Sequence, residues 1–378
     1  MLSGSQANNY RIFAIGELLK DVHFKDISRE ELEKIQISDL NSLQIMGKIR
    51  KADDAGAPAI VAAYTSLLGG KSRLLANIGN DILGNEIRRS LQSFNIELIL
   101  PKNQGHFTDC AIIHYAGGQH EFIKFFWDSM QRINENDINE DIISDSDILH
   151  IGSVAPCAFQ ESRKAVYRAI DIAKKHGRVI SFDLNLRNGI YTSIKERFIQ
   201  AANLMGKSDI SKMTASELMF MAGFNGFSCN NIDIEKLIYI GNEISRQYRS
   251  KLMLVTLGGL GALAYSGERF VWRSAYDFGK TINTIGAGDA FMAASLKKSI
   301  EHKSLDNIYA NGLQDILDFG CRIAGISVTI DSSIVAEVMN YENMTGRLKY
   351  KDFGRFKDAS KEILEKEAVS YMKLRSYI

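Results

Sequence analysis

The tetrapeptide Gly286-Ala287-Gly288-Asp289 has the residue types and the spacing to handle an anion. It lies within Asn283-Thr284-Ile285-Gly286-Ala287-Gly288-Asp289-Ala290-Phe291 and leads into a small-residue, apolar stretch that reads as a helix over about 287–299. The first turn of a helix leaves about four backbone N–H groups without intrahelical partners, and the helix dipole adds partial positive charge. Glycines let oxygens approach that backbone closely. A carboxylate at Asp289 stands beside such an anion hole. That arrangement suits phosphoryl transfer, where charge must be stabilised and a hydroxyl aligned or deprotonated. The same residues also suit a plain tight turn with an acidic first helical turn, so the rest of the chain must decide.

Other candidates fall at similar places. Residues 11–16 read as a buried strand, and Asp21 follows it, where open α/β sheets bind ligands. Asp183, Asn185 and Arg187 alternate just past a strand over 179–182, either as a site cluster or as a polar turn. Thr214-Ala215-Ser216-Glu217 follows a short strand at 209–213 and fits a capping box. The β-rich run 252–256 is followed by Leu257-Gly258-Gly259-Leu260-Gly261. Gly69-Gly70-Lys71-Ser72 resembles the tail of a P-loop, but Thr65 stands where the first glycine is required, and a glycine C-cap is sufficient.

The elements that must position these residues alternate between strand and helix. Pro58 opens a helix to about 68, and further helices are expected over 160–175, 233–248 and 306–328. A hairpin over 110–126 turns at Gly117-Gly118 and is a candidate lid; its aromatics Phe122, Phe125, Phe126 and Trp127 read as packing residues rather than substrate contacts. A second hairpin covers 262–272. The order predicts a doubly wound α/β sheet with helices on both faces. Residues 23–54 form a polar insertion, either helical or mobile. Beyond 335 the chain is rich in charge, as in Lys361-Glu362-Ile363-Leu364-Glu365-Lys366-Glu367, and reads as a helical extension packed on the body or a partner, or as a solvated tail.

Composition sets the limits. The 378 residues are 45% hydrophobic and 24% charged with net charge +1, which favours a soluble globular protein and gives no general nucleic-acid or anionic-membrane surface. No apolar run reaches membrane-spanning length and no signal-peptide core opens the chain. Cys110, Cys157, Cys229 and Cys321 are scattered without metal or redox spacing, as in a reducing cytoplasm.

Taken together and in this order, these motifs resemble the ribokinase-like (PfkB) carbohydrate kinase family over about 10–335, with residues 336–378 as an extension. The stretch 283–291 is similar to the family's D-T-x-G-A-G-D-x-F. The resemblance implies a three-layer αβα sandwich with a small β lid that often serves as a dimer contact, and use of ATP and Mg2+ to phosphorylate a hydroxyl of a sugar or related small molecule. Asp289 would be the base, with Gly286, Ala287 and Gly288 as the anion hole. Lys212, Thr214, Thr256, Gly258 and Gly261 would serve the nucleotide and Glu217 the metal. Asp21, Gly56, Gly79, Asp81 and Thr108 would face the acceptor, as would Asp183, Asn185 and Arg187, which match the D-P-N-x-R of fructokinase-like and ketodeoxygluconate-kinase-like members.

The chain departs from the pattern in four places. Ile60 stands where an Asn often bonds a sugar hydroxyl, within Ala55-Gly56-Ala57-Pro58-Ala59-Ile60. Leu184 replaces a Pro. Thr214 replaces the Asn of N-x-x-E. Asn283 replaces an Asp that helps bind a monovalent cation, so no potassium dependence is expected. These changes touch the acceptor pocket more than phosphoryl transfer. A non-catalytic relative that kept the fold is the alternative. A nicotinamide dehydrogenase is disfavoured, because Gly16-Glu17-Leu18-Leu19-Lys20-Asp21 is not G-x-G-x-x-G.

Overall fold

The computed structural model describes residues 10–24, 27–36, 49–105, 107–116, 119–152, 154–186, 193–227, 229, 232–302, 305–306 and 308–375. Arg187, residues 37–48 of the polar stretch and the Gly117-Gly118 turn lie outside these.

Short, largely apolar runs form the central strands, buried on both faces, and more polar runs form the strands toward the sheet edges. They are β1 (Arg11–Ile15), β4 (Lys71–Leu75), β5 (Glu97–Ile99), β8 (Ile148–Gly152), β9 (Val179–Asp183), β10 (Ile210–Thr214) and β11 (Leu252–Thr256), joined by β12 (Gly261–Ser266) and β13 (Arg269–Ser274). They make one nine-stranded sheet in the order β13-β12-β11-β10-β9-β8-β1-β4-β5. Pairs from β11 through β5 are parallel, and β12 and β13 add the antiparallel hairpin.

Alternate residues of each strand face opposite layers, because the side-chain period of a strand is two. Ile12, Ile148, Ile210 and Leu254 pack with the helices Ala57–Leu67, Ala287–Glu301 and Ala310–Ser327. Phe13, Leu149, Met213 and Met253 pack with Gln160–Lys175, Ala215–Phe224 and Ile234–Tyr248 on the other side. The result is the three-layer sandwich expected. Every parallel strand ends at one edge, which brings Gly16, Asp183, Thr214 and Thr256 together.

The lid is larger than a hairpin. β2 (Leu19–Phe24), β3 (Ile49–Ala55), β6 (Cys110–Ala116) and β7 (Gln119–Phe126) form a four-stranded sheet in the order β3-β2-β6-β7. The polar stretch 23–54 is therefore not only an insertion: it supplies the end of β2, a short helix Arg29–Lys34 and all of β3. Charged residues in LKDVHF and IRKADDA hide the strand alternation in sequence. Asp21 lies on a strand, in register with Asp53 and Ala111, rather than in a loop.

The C-terminal extension packs on the body. β14 (Tyr276–Asp277) pairs with β15 (Arg347–Leu348), and the helix Phe353–Arg375 follows. Phe356, Leu364 and Tyr371 are buried in the same core as the sheet, and Phe356 stacks on Trp272 with ring centroids 4.7 Å apart. Lys361, Glu362, Glu365 and Lys366 take the solvent side, the division an amphipathic helix makes at 3.6 residues per turn. All four cysteines are buried and free. Among the described residues no helix is long and apolar enough to cross a membrane.

Candidate active site

A cavity of about 530 Å3 opens at the C-terminal edge of the parallel strands, under the lid. Its wall includes Asp289, Gly286, Ala287, Gly288, Asp21, Gly56, Asn185, Lys212, Thr214, Thr256, Gly258 and Gly261, twelve positions singled out from sequence. Five expected positions fall off the wall: Gly79, Asp81, Thr108, Asp183 and Glu217.

Gly286 is the N-cap of the helix Ala287–Glu301, at φ 81° and with no side-chain cap. Ala287 N–H donates to the Thr284 carbonyl at 3.3 Å, and no side chain caps the N–H groups that follow it at this edge of the cavity. Glycine is required there for two reasons. The backbone is left-handed, and an added Cβ would stand 2.3 Å from the Ser333 carbonyl oxygen. Tyr64 fixes that carbonyl: its hydroxyl donates to Ser333 O at 3.2 Å and accepts from Val335 N–H at 3.2 Å. Asn283 accepts the Ile285 N–H at 2.9 Å, tightening the turn before the glycines. Asp289 sits one turn in, nearly buried.

Beneath Gly288 lies a buried cation. Lys212 Nζ is 2.8 Å from Asp183 Oδ2, and a Cβ on Gly288 would stand 3.0 Å from the same Nζ. Burial alone would pull the ammonium down, but the carboxylates of Asp183, Asp289 and Glu217 outweigh it and hold the pKa above the usual lysine value. Lys212 is thus charged beside the helix N-terminus. Asp183 Oδ1 is buried and has no hydrogen-bond partner among the described residues. One row below, His150 Nδ1 is 3.0 Å from Ser181 Oγ. Burial, with a smaller push from Lys212, lowers the His150 pKa to about 3, so this imidazole is neutral.

Glu217 completes the capping box read from sequence. Its carboxylate accepts the Thr214 N–H at 2.8 Å and the Leu186 N–H at 2.6 Å, while Thr214 Oγ1 accepts the Glu217 N–H at 3.3 Å. Both oxygens are engaged in holding the 184–186 turn to the helix Ala215–Phe224.

Two acceptor-side expectations are corrected. Asp81 caps the helix Ile82–Ser93 through Gly84 N–H at 2.8 Å, and also accepts the Thr108 N–H at 2.8 Å and the Thr108 hydroxyl at 2.6 Å. The two side chains satisfy each other and clamp two loops, away from the wall. Asp21 does reach the cavity, joined by Glu17, Ile60, Val154, Phe125 and Trp127. Phe125 and Trp127 stack with centroids 5.3 Å apart and planes 7° from parallel, so the lid presents a flat aromatic face there. They are wall residues, not only packing residues: the end of β7 and the residue that follows it line the cavity. Gly56, at φ 105°, lets the chain pass the Glu17 carbonyl, 2.3 Å from where a Cβ would be. Glu17 was readable only as part of a strand-end stretch. Lys349 and Glu367 of the extension, also on the wall, carried no sequence signal at all.

An open helix N-terminus with an acidic first turn, set at a parallel-sheet edge beneath a β lid, defines a ribokinase-like phosphotransferase fold. The model of the pfkB family carbohydrate kinases matches residues 46–337, and the chain belongs to that family and is a sugar kinase. It is 30% identical over 288 residues to fructokinase-2 of Solanum lycopersicum, covering 74% of this chain and 83% of that protein. It is 31% identical over 297 residues to a sugar kinase of Pyrococcus horikoshii, covering 78% of this chain and 84% of the relative. The crystal structure of the sugar kinase from that organism in complex with ATP superimposes with a TM-score of 0.66 at 25% identity, covering 85% of this chain and 93% of that one. Fructokinase from Vibrio cholerae, bound to fructose, ADP and calcium, shares the fold at a TM-score of 0.68 and 22% identity, over 88% of this chain and 96% of that one.

Proposed function

We propose that this protein transfers the γ-phosphoryl group of ATP to a hydroxyl of a fructose-like sugar, with Asp289 as the base. The observation that carries this reading is the uncapped N-terminus of the helix Ala287–Glu301, which places N–H groups, Lys212 and Asp289 around one point of the cavity. The acceptor hydroxyl lies against Asp289. Its proton passes to the carboxylate as the oxygen attacks the γ-phosphorus, the bond from that phosphorus to the β–γ bridging oxygen breaks and ADP leaves, and the N–H groups after Gly286 carry the charge that gathers on the transferred oxygens. Lys212 supplies a fixed positive charge at the same place. Thr256, Gly258 and Gly261 flank the nucleotide, and the lid closes over the acceptor to keep water from competing for the phosphoryl group.

The site fits a magnesium nucleotide. Mg2+ binds through one or two carboxylates, waters and the phosphates themselves rather than in an all-protein cage. Asp183 offers an unpartnered oxygen, and Glu217, with lone pairs remaining on its engaged oxygens, can accept a metal-bound water. The metal neutralises phosphate charge when bound.

The acceptor end is polar through Glu17, Asp21 and Asn185 and apolar through Ile60, Val154 and Trp127. Carboxylates accept hydrogen bonds from sugar hydroxyls, and they favour a neutral polyol over a sugar acid. With the fructokinase relatives, this supports fructose over ketodeoxygluconate as the acceptor. The lid ends in strands β3 and β7, whose outer edges support the lid-mediated dimer.

The test is Asp289→Asn in an ADP-release assay over ketoses, ketodeoxy acids and nucleosides. Loss of general-base help predicts a drop in kcat of about 100- to 10,000-fold with nucleotide binding retained. Full activity in the variant would remove Asp289 as the base, and activity on ketodeoxy acids alone would reverse the acceptor assignment.

A further inference from the structure

The family match ends at residue 337, yet the cavity wall contains Lys349 and Glu367. Two ties set the position of Lys349. Its own N–H donates to Ala275 O at 2.9 Å, and the next N–H, that of Tyr350, donates to Ser274 Oγ at 2.9 Å. Leu348, just before it, is paired with Tyr276 in the β14–β15 ladder. This fixed backbone carries the Lys349 ammonium over the Gly258–Leu260 turn, 3.7 Å from where a Cβ of Gly259 would be. Glu367 accepts the Ser216 N–H at 3.0 Å, which fastens the helix Phe353–Arg375 beside Thr214 on the same side of the cavity.

Charge then indicates what Lys349 meets. Among the described residues the wall carries four carboxylates, Glu17, Asp21, Asp289 and Glu367, against two lysines, Lys212 and Lys349. Lys212 is paired with Asp183. Lys349 makes no ion pair with a described residue, and Gly259 beneath it has no side chain to come between. Among the charged side chains of the described wall, these two ammonium groups are the ones that attract a polyanion.

We infer that Lys349, supplied by the C-terminal extension, binds the phosphate chain of the nucleotide, so that the extension is part of the nucleotide site. The inference rests on the ATP reading of the cavity. An ammonium is a point charge that attracts phosphate oxygens without demanding one geometry, and the Gly258–Gly261 turn is on the nucleotide side of the transfer point. The adenosine portion carries no charge for it to recognise.

The experiment is calorimetric titration of the full-length chain with a non-hydrolysable ATP analogue and Mg2+, and separately with adenosine. It uses wild type, Lys349→Met and Lys349→Arg. For a solvent-facing charge pair, the methionine variant should bind the analogue about threefold to tenfold more weakly at low salt, with the gap narrowing as salt screens it. Adenosine affinity and melting temperature should stay at the wild-type values, and arginine should restore analogue binding. Unchanged analogue affinity in Lys349→Met, or an equal loss for adenosine, overturns this inference and leaves the kinase reading intact. A wild-type protein that binds no analogue overturns both.

Discussion

Lys212 and Asp183 face each other across neighbouring strands β10 and β9, Nζ to Oδ2 at 2.8 Å, with both side chains out of water. The pair stands directly beneath Gly288. It joins β9 to β10 and holds its ammonium against the loop that begins the helix Ala287–Glu301, so one interaction serves both stability and the charge at that loop.

Removing one partner leaves a buried, uncompensated charge. Lys212→Met and Asp183→Asn should each cost about 3–5 kcal/mol in urea denaturation. Replacing both, as Lys212→Met with Asp183→Leu, should recover most of that loss while activity stays absent. The raised folded pKa of Lys212 gives the sign with pH: its stabilisation is complete below its unfolded value of about 10.4 and is lost as pH rises through the folded value. Single variants with wild-type midpoints would show that the pair is not a structural support.

The two glycines of the loop differ in tolerance. Gly286→Ala meets the Ser333 carbonyl at 2.3 Å in a left-handed backbone, and should lose about 1–3 kcal/mol and most activity. Gly288→Ala meets the side-chain end of Lys212, with Nζ at 3.0 Å, rather than backbone, and should lose less stability than Gly286→Ala with a smaller loss of kcat. Equal effects in a paired denaturation and activity series would contradict the geometry.

His150 predicts a pH effect. Its folded pKa is depressed to about 3, so in acid the unfolded chain takes a proton that the folded protein refuses. Its contribution is present above the unfolded value of about 6.5 and falls with pH toward the folded value, at up to about 1.4 kcal/mol per pH unit. Relative to wild type, His150→Gln should therefore gain about 2 kcal/mol between pH 7 and pH 5. The difference between the two proteins isolates this group, since every other titratable group is common to both. A flat difference across that range would mean that the imidazole is not held neutral.

Trp127 gives a lid prediction. Trp127→Ala removes one half of the Phe125–Trp127 stack and should raise the sugar KM about tenfold, an amount set by aromatic contact energy of about 1 kcal/mol or slightly more. The affinity for an ATP analogue should not change. A shift in nucleotide affinity instead would place the aromatic face on the wrong side of the cavity.

The sequence by itself determined the alternation of strands and helices, the Thr214–Glu217 capping box and the Gly286–Asp289 loop. Each depends on neighbours within one or two turns: the two-residue and 3.6-residue periods, a hydroxyl three residues before a carboxylate, and glycines at the start of an apolar helix. Only the tertiary structure decided which polar residues meet. Asp81 and Thr108 satisfy each other across two loops, 27 residues apart in sequence, and so are withdrawn from the cavity. Asp21 and β3 belong to a lid whose charged strands hide their period. Lys349 precedes, and Glu367 lies within, a charged amphipathic helix whose local pattern does not show what it covers. Hydrogen bonding and burial are contests among groups brought together by folding, and short-range pattern does not name the opponents.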